Sequence, residues 1–219
     1  MAFAGEDRAW RAAGGRANWP AMAMPGPPTL ATIRRALSGH AARRVDGPRQ
    51  AAVAMILAGD GDALEVLFIE RARHPSDPWS GQMAFPGGRM DAGDPDLAVT
   101  AARETLEEVG VDLAGAELLG RLDDRDASPG RVGALVLSAF VFRLPDRVPL
   151  AWNHEVRSAF WVPLAVLADA SSRVAHPWPP ASPVGEFPGI LVGEPDRHVV
   201  WGLTREVVIH FLDVVTAGS

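Results

Sequence analysis

Arg103–Val111 reads RETLEEVGV and sets Glu104, Glu107 and Glu108 at positions i, i+3 and i+4 of a helix-forming run. At about 100° per residue, the three carboxylates share an arc of about 100°. Ala98, Ala101, Ala102, Thr105 and Val109 fill the neighbouring arc. The helix can therefore pack closely through small residues and present its acids beside that contact. On an open surface such like-charged pairs cost only ~0.2–0.5 kcal/mol each. In a cleft, two carboxylates ~5.5 Å apart repel by ~3 kcal/mol at an effective dielectric of about 20. Three of them then need protons or a divalent cation. A hard cation such as Mg²⁺ (or Mn²⁺) takes oxygen ligands and works beside substrate phosphates. The acids alone do not separate a solvated face from a cation site.

The flanking residues narrow the choice. A helix is expected over 95–109, with Asp94 as N-cap, Pro95 at the first helical position and Gly110 as C-cap. Just upstream, Gln82–Phe85 reads as a short strand ended by Pro86-Gly87-Gly88, and a short acidic loop joins it to the helix. Bare glycine backbone can approach a ligand closely, although alone it marks only a tight turn. Joined to a carboxylate helix, it points to a phosphate-and-metal site.

Farther out, Leu30, Ile33 and Leu37 mark a short amphipathic helix with Gly39 as its cap. Ala51–Ala58 and Ala63–Glu70 are strand-like runs around GDGD, which predicts a hairpin. Further strands are expected over 117–122, 134–143 and 159–162. A last helix begins near Thr204, with Val207, Val208, Phe211, Leu212 and Val215 on one apolar face. Residues 171–189 read as a long Pro-rich loop. The pattern predicts an α/β fold, a mixed β-sheet sandwiched between α-helices. Residues 1–28 read as a flexible extension on which Trp10 and Trp19 could dock, and 29–219 as a single domain.

Composition excludes several chemistries. The 219 residues contain no Cys, so thiolate metal sites and cysteine nucleophiles are ruled out. They contain no Lys, which removes the Walker A lysine and Schiff bases, and no Tyr. A net charge of −6 argues against nucleic acid as a partner. The longest apolar run, Ala134–Phe142, is too short to span a membrane. No basic region followed by an apolar core opens the chain, so a cytoplasmic setting is expected. The six histidines show no metal-ligand spacing. His74, His154 and His176 read as loop residues, and Trp161 and Trp201 as core. Trp79 reads as an anchor for its own loop. Arg71, Arg73 and Arg89 flank the glycines and could clamp phosphate oxygens, since guanidinium matches them bidentately. Arg73 also reads as plain surface.

Taken together, these stretches resemble the Nudix hydrolases, whose signature is G-x5-E-x7-R-E-U-x-E-E-x-G-U with U a bulky apolar residue. Arg103–Val111 matches its second half, with Thr105 at an apolar position. Gly88 lies one residue farther from Arg103 than the signature asks, and Pro95 stands where its first Glu belongs, with Asp91 and Asp94 nearby. The departure resembles one branch, the coenzyme A diphosphatases, whose upstream motif is L-L-T-x-R-[SA]-x3-R-x3-G-x3-F-P-G-G. The chain reads LFIERARHPSDPWSGQMAFPGGRMD over 67–91. Arg71-Ala72, Gly81 and Phe85-Pro86-Gly87-Gly88 fit, but Arg71 to Gly81 is one residue too long. The second Arg of the motif is replaced by Ser76 or Asp77, with Arg73 close by. The resemblance spans roughly residues 30–216.

The resemblance implies a Nudix fold and Mg²⁺- or Mn²⁺-dependent hydrolysis of a phosphoanhydride in a nucleoside diphosphate linked to another moiety. Coenzyme A or its thioesters would give 3′,5′-ADP and 4′-phosphopantetheine. Other nucleotides (NADH, ADP-ribose, nucleoside triphosphates) and a non-catalytic nucleotide-binding module are the alternatives. Glu104 and Glu108 are implied as metal ligands with Glu107 assisting, and Arg103 as orienting a glutamate or as an ordinary helix salt bridge. Arg71, Gly87 and Gly88 are implied at the substrate. Glu108 and Glu155 are both candidates for the general base. The partner is a small nucleotide, and a homodimer is compatible with the reading.

Overall fold

The computed structural model describes residues 26–74, 80–128, 134–177 and 186–217. Residues 1–25 of the expected extension, Ser76, Asp77 and Trp79 lie outside the described residues. A central sheet is built on β1 (Gln50–Ala58) and β2 (Glu65–Arg71), the expected hairpin, paired antiparallel with Leu57 opposite Val66. On its other side β1 runs parallel to β7 (Val136–Leu144), from Gln50 opposite Val136 to Ala58 opposite Leu144. Both neighbours of β1 are strands and both its faces are covered, so its sequence is almost wholly apolar. The strand path is β3-β2-β1-β7-β5, with β3 at Met83–Ala84 and β5 at Glu117–Arg121. β4 (Gly87–Arg89) adds antiparallel to β1, β6 (Arg125–Asp126) to β7, and β8 (Val156–Pro163) to β2.

Alternation along β1 sends Met55 and Leu57 to one face and Ala52, Ala54, Ile56 and Ala58 to the other. The first face is covered by α1 (Leu30–Gly39) and by the last helix, which runs Gly202–Ala217. Ile33 and Leu37 there meet Phe211 and Leu212 in one core, and all five residues of the expected apolar face on the last helix are buried. α2 (Leu97–Val109) covers the second face, burying Ala101, Thr105 and Val109 over the alanines of β1. Small residues on both sides let this helix lie close to the sheet. The mixed sheet between helices is as expected.

Several local expectations are corrected. α1 runs through Gly39, and its end is closed by the His40 N–H on the Leu37 carbonyl. The N-cap of α2 is Asp96, whose carboxylate accepts from the Val99 N–H at 2.9 Å. Asp94 does not cap because its carboxylate is held by Arg103. Gly110 closes the helix as expected, with φ 71°. Gly87 and Gly88 belong to a strand, β4, rather than a free turn. The stretch over 171–189 contains strands β9 (Arg173–Pro177) and β10 (Glu186–Leu191), which with β11 (Val199–Trp201) form a second, three-stranded sheet. Prolines hid this pattern, and the Trp201 ring packs on both Phe187 and His176 across it. His176 is thus a strand residue. Trp201 is core, whereas Trp161 is only half-buried. A one-turn helix, α3 (Leu164–Ala168), follows β8, so that the Gly202–Ala217 helix is α4. Among the described residues, no helix is long and apolar enough to cross a membrane.

Candidate active site

α2 carries its acids to the edge where β4 leaves β1. Glu108, at the buried end of the arc, is 3% exposed and its Oε2 accepts the Gly87 N–H at 2.9 Å. Burial pushes this carboxyl up to about 7, against the Gly87 hydrogen bond and the Arg71 charge and with the charges of Glu104 and Glu155. One turn earlier, Glu104 lies 3.0 Å from Nη2 of Arg103 and is also raised, first by burial and then by Glu107 and Glu155, with Arg103 opposing. Glu107 stands at the rim, half exposed. The ladder from buried to exposed follows from the three angular positions on α2.

The two glycines are required for different contacts. A Cβ on Gly87 would fall 2.2 Å from the Ala52 carbonyl oxygen, at a φ of +153°. A Cβ on Gly88 would fall 2.4 Å from Cδ of Glu104. Bare backbone here brings β4 against β1 and leaves room for a carboxylate, so its close approach is to the protein's own groups.

Arg103 is a hub. Its Nε and Nη2 donate to the two oxygens of Asp94 at 3.0 Å each, Nη2 donates to the Arg89 carbonyl at 3.1 Å, and Nη1 reaches Glu107 at 3.1 Å. Asp94 also accepts from the Thr100 hydroxyl and the Asp91 N–H, and these donors hold its carboxyl far below the usual range. Asp91 lies 3.8 Å from the same guanidinium. The upstream acids therefore converge on Arg103, which also contacts Glu104 and Glu107.

Sequence reasoning missed Asn153. Its N–H donates to the Glu108 carbonyl and its Nδ2 to the Glu107 carbonyl, both at 3.0 Å, while the Ala151 N–H takes the Val109 carbonyl. Three carbonyls that a helix end leaves unpaired are satisfied by this one segment. The Asn153 Oδ1 then accepts the Glu155 N–H at 2.8 Å, and the Glu155 carbonyl accepts from Ala72. Glu155, exposed, is thus pinned beside the other acids, close enough for its charge to raise both Glu104 and Glu108. An Asn two residues before a Glu is an Asx-turn signal and could have been read. Arg71 follows a bulge at the end of β2, and its charge acts on Glu108. Arg73 and Arg89 are exposed. Beside Glu155, a cleft of about 590 Å³ is lined by Ala72, Arg73, His154, Val156 and Arg157.

A glycine strand, a buried glutamate on its N–H, and an arginine in contact with the helix acids make one interlocked unit, and the NUDIX domain profile matches residues 48–180 across it. The chain belongs to the Nudix family. The mixed sheet between helices is that family's fold. An uncharacterized protein of Schizosaccharomyces pombe is 44% identical over 116 residues, which cover 50% of this chain and 35% of that one. The chain thus spans about a third of that relative's length. The human mitochondrial coenzyme A diphosphatase NUDT8 is 29% identical over 187 residues, covering 85% of this chain and 78% of that protein. The crystal structure of a MutT/nudix family protein from Enterococcus faecalis superposes with a TM-score of 0.53 at 17% identity, over 99% of this chain and 75% of that one, which bears on the fold alone.

Proposed function

We propose that this Nudix chain hydrolyses a phosphoanhydride in a nucleoside diphosphate linked to another moiety, with coenzyme A or its thioesters as substrate and 3′,5′-ADP and 4′-phosphopantetheine as products. The observation that carries the reading is the clustering of Glu104, Glu107, Glu108 and Glu155 around β4, with two of the four raised by burial and mutual repulsion. An all-oxygen, anionic and partly buried donor set of this kind fits a hard divalent cation. Glu104 and Glu108 would hold Mg²⁺ or Mn²⁺, with Glu107 assisting from the rim. When bound, the ion supplies charge neutralisation at the diphosphate and a lowered pKa for a water. Arg103 keeps Glu104 and Glu107 oriented, and Arg71 offers a guanidinium to a phosphate oxygen. Glu155 fits the general base better than Glu108, because Glu108 is committed to Gly87 whereas Glu155 is exposed on a pinned backbone.

The coenzyme A assignment is supported by the Arg71-Ala72, Gly81 and FPGG residues and by the likeness to the human diphosphatase. A second reading, another nucleotide diphosphatase, is favoured by one observation: Ser76 or Asp77 stands where the motif has its second Arg. Rates on coenzyme A, dephospho-coenzyme A, NADH, ADP-ribose and nucleoside triphosphates with Mg²⁺ or Mn²⁺ separate the two. Preference for coenzyme A or its thioesters supports the first, and equal or better turnover of the others refutes it. Tight nucleotide binding without turnover would refute both. Glu155→Gln is expected to lower kcat with little change in KM.

A further inference from the structure

A second cluster of ligating side chains lies on the opposite face of the sheet from α2. His40 follows α1, Asp123 lies between β5 and β6, and His210 is in the middle of α4. Nε2 of His40 is 3.0 Å from Oδ1 of Asp123, and Nε2 of His210 is 3.5 Å from the same oxygen. One ligand atom from each residue lies within 4.8 Å of the others. The imidazoles meet edge to face, with centroids 5.5 Å apart. All three side chains are about four-fifths buried, at 17–20% exposure.

The two separations from Asp123 fit a tetrahedral ion, and the third, between the histidines, is at most 4.8 Å. Metal–ligand bonds of ~2.0–2.1 Å to imidazole and carboxylate imply ligand–ligand edges of about 3.3 Å. The two edges to Asp123, 3.0 and 3.5 Å, bracket that value. The hydrogen bonding also leaves a conflict that a cation removes. The Asp123 N–H is directed at Nε2 of His210 at 3.3 Å, which makes that nitrogen an acceptor. Its lone pair then faces the carboxylate oxygen at 3.5 Å, acceptor against acceptor. Placing the proton on Nε2 repairs that contact but turns it against the Asp123 N–H. The other polar contacts of Asp123 are the Arg43 N–H at 3.0 Å on Oδ1 and the Arg43 Nε at 3.8 Å from Oδ2. The Arg43 side chain is 65% exposed, so solvent screens it, and it tempers rather than blocks a cation.

We propose that His40, Asp123 and His210 form a transition-metal site, with Zn²⁺ as the fitting ion and the fourth position open to water. Two imidazoles and one carboxylate suit Zn²⁺ far better than Mg²⁺, which prefers oxygen alone. Binding replaces the proton shared between His40 and Asp123 and gives up the long Asp123–His210 bond. The ion staples three segments 83 and 87 residues apart in the chain, joining both helices of one face to the sheet edge. No regular histidine spacing announces the site, because each ligand comes from a different element. It shares no residue with the carboxylate cluster, so its failure would leave the hydrolase reading intact.

The test uses the full chain, stripped with chelator and held in excess Mg²⁺ so that the oxygen-donor site is occupied. Titration with ZnCl₂ by calorimetry is expected to show one site of micromolar or tighter Kd, retained in Glu108→Gln. Zn²⁺ at about 100 times Kd is expected to raise the melting temperature by on the order of 5–10 °C. His40→Gln and His210→Gln are each expected to weaken binding at least about tenfold and to abolish the thermal shift, as loss of one ligand does. Should His210→Gln fail to fold, His40→Gln at the helix end carries the comparison. Co²⁺ on the wild-type chain provides a readout without any variant, since tetrahedral ligation gives strong visible absorption. Absence of Zn²⁺ binding, binding unchanged in His40→Gln, or a weak octahedral Co²⁺ spectrum would each overturn the proposal.

Discussion

Replacing Gly88 by alanine is expected to disable the carboxylate site with little effect on stability, whereas the same change one residue earlier is expected to destabilise the fold. The methyl of Gly88→Ala would lie 2.4 Å from Cδ of Glu104 and 2.5 and 2.6 Å from its oxygens. Carbon contacts are comfortable only from ~3.5 Å, so the carboxyl must retreat by about 1 Å. A displacement of that size at a reacting centre costs on the order of 10²-fold in rate. Stability is nearly indifferent. The clashing atoms are the end of a flexible side chain, the off-rotamer cost is ~0.5–1.5 kcal/mol, and alanine returns ~0.4–1 kcal/mol by restricting the unfolded chain. Gly87→Ala instead drives a methyl to 2.2 Å from the Ala52 oxygen and 2.6 Å from Cα of Val53, both backbone, at a φ of +153°. Breaking the β1–β4 pairing there is expected to cost on the order of 3 kcal/mol, or about 6–12 °C for a chain of this size. Metal-dependent kcat/KM on the best substrate, alongside thermal melts of both variants, makes the comparison. Wild-type kcat/KM in Gly88→Ala, or a melt as low as that of Gly87→Ala, would refute the account.

Three further outcomes follow from the charges. Glu108 titrates near 7 in the folded chain and near 4.5 when unfolded, because burial disfavours its ionised form. The metal-free protein is therefore most stable below about pH 4.5 as far as this group is concerned, and loses roughly 3 kcal/mol as pH rises through 7. Glu108→Gln keeps an acceptor for the Gly87 N–H, so in chelator it is expected to melt above wild type near pH 8 but not near pH 4, with turnover lost; a pH-independent difference would refute this. Arg103→Lys keeps the charge but cannot span Asp94, the Arg89 carbonyl and Glu107 together, and is expected to lower kcat at least about tenfold. Unchanged kcat would mean the hub does not orient the acids. Glu70, buried and held by Arg197, Ser158 and Arg157, has its carboxyl lowered because these partners outweigh the burial that would raise it. Its stabilisation is present above about pH 4.5 and lost as pH falls through the depressed folded value. Glu70→Gln should therefore melt below wild type at neutral pH, with the gap narrowing in acid.

What the sequence made legible was governed by period and punctuation. The apolar faces of the helices and the β1–β2 hairpin are written in residues whose neighbours in the chain are also their neighbours in the element. The carboxylate arc of α2 is of the same kind, since it depends only on spacing within one helix. Contacts closed by tertiary approach left no such mark. Nothing near Asp94 announces that its carboxylate is taken by Arg103, nine residues on, and in sequence it reads as a simple helix cap. The β9–β10 pairing was hidden by Pro177 and Pro188, whose restricted backbone is read as loop although both lie in paired strand. Asn153 was passed over because its work is to close a helix 46 residues back in the chain.

Most of the residues that identify this site act on one another. Gly87 holds Glu108, Gly88 leaves room for Glu104, Arg103 fixes Glu104 and Glu107, and Asp94 and the Arg89 carbonyl fix Arg103. The order of dependence runs from backbone to arginine to carboxylate, so the loop between the glycines and Arg103 accommodates one residue more than the signature has. That loop needs only to deliver one acid to Arg103, and Asp94, the sixth residue after Gly88, does so. Burial then keeps Glu108 from relaxing into water and holds its carboxyl up to about 7. A solvated acidic face would have neither the arginine hub nor the raised carboxyl. The electrostatic tension that RETLEEVGV concentrates is therefore maintained by the fold rather than dissipated by it.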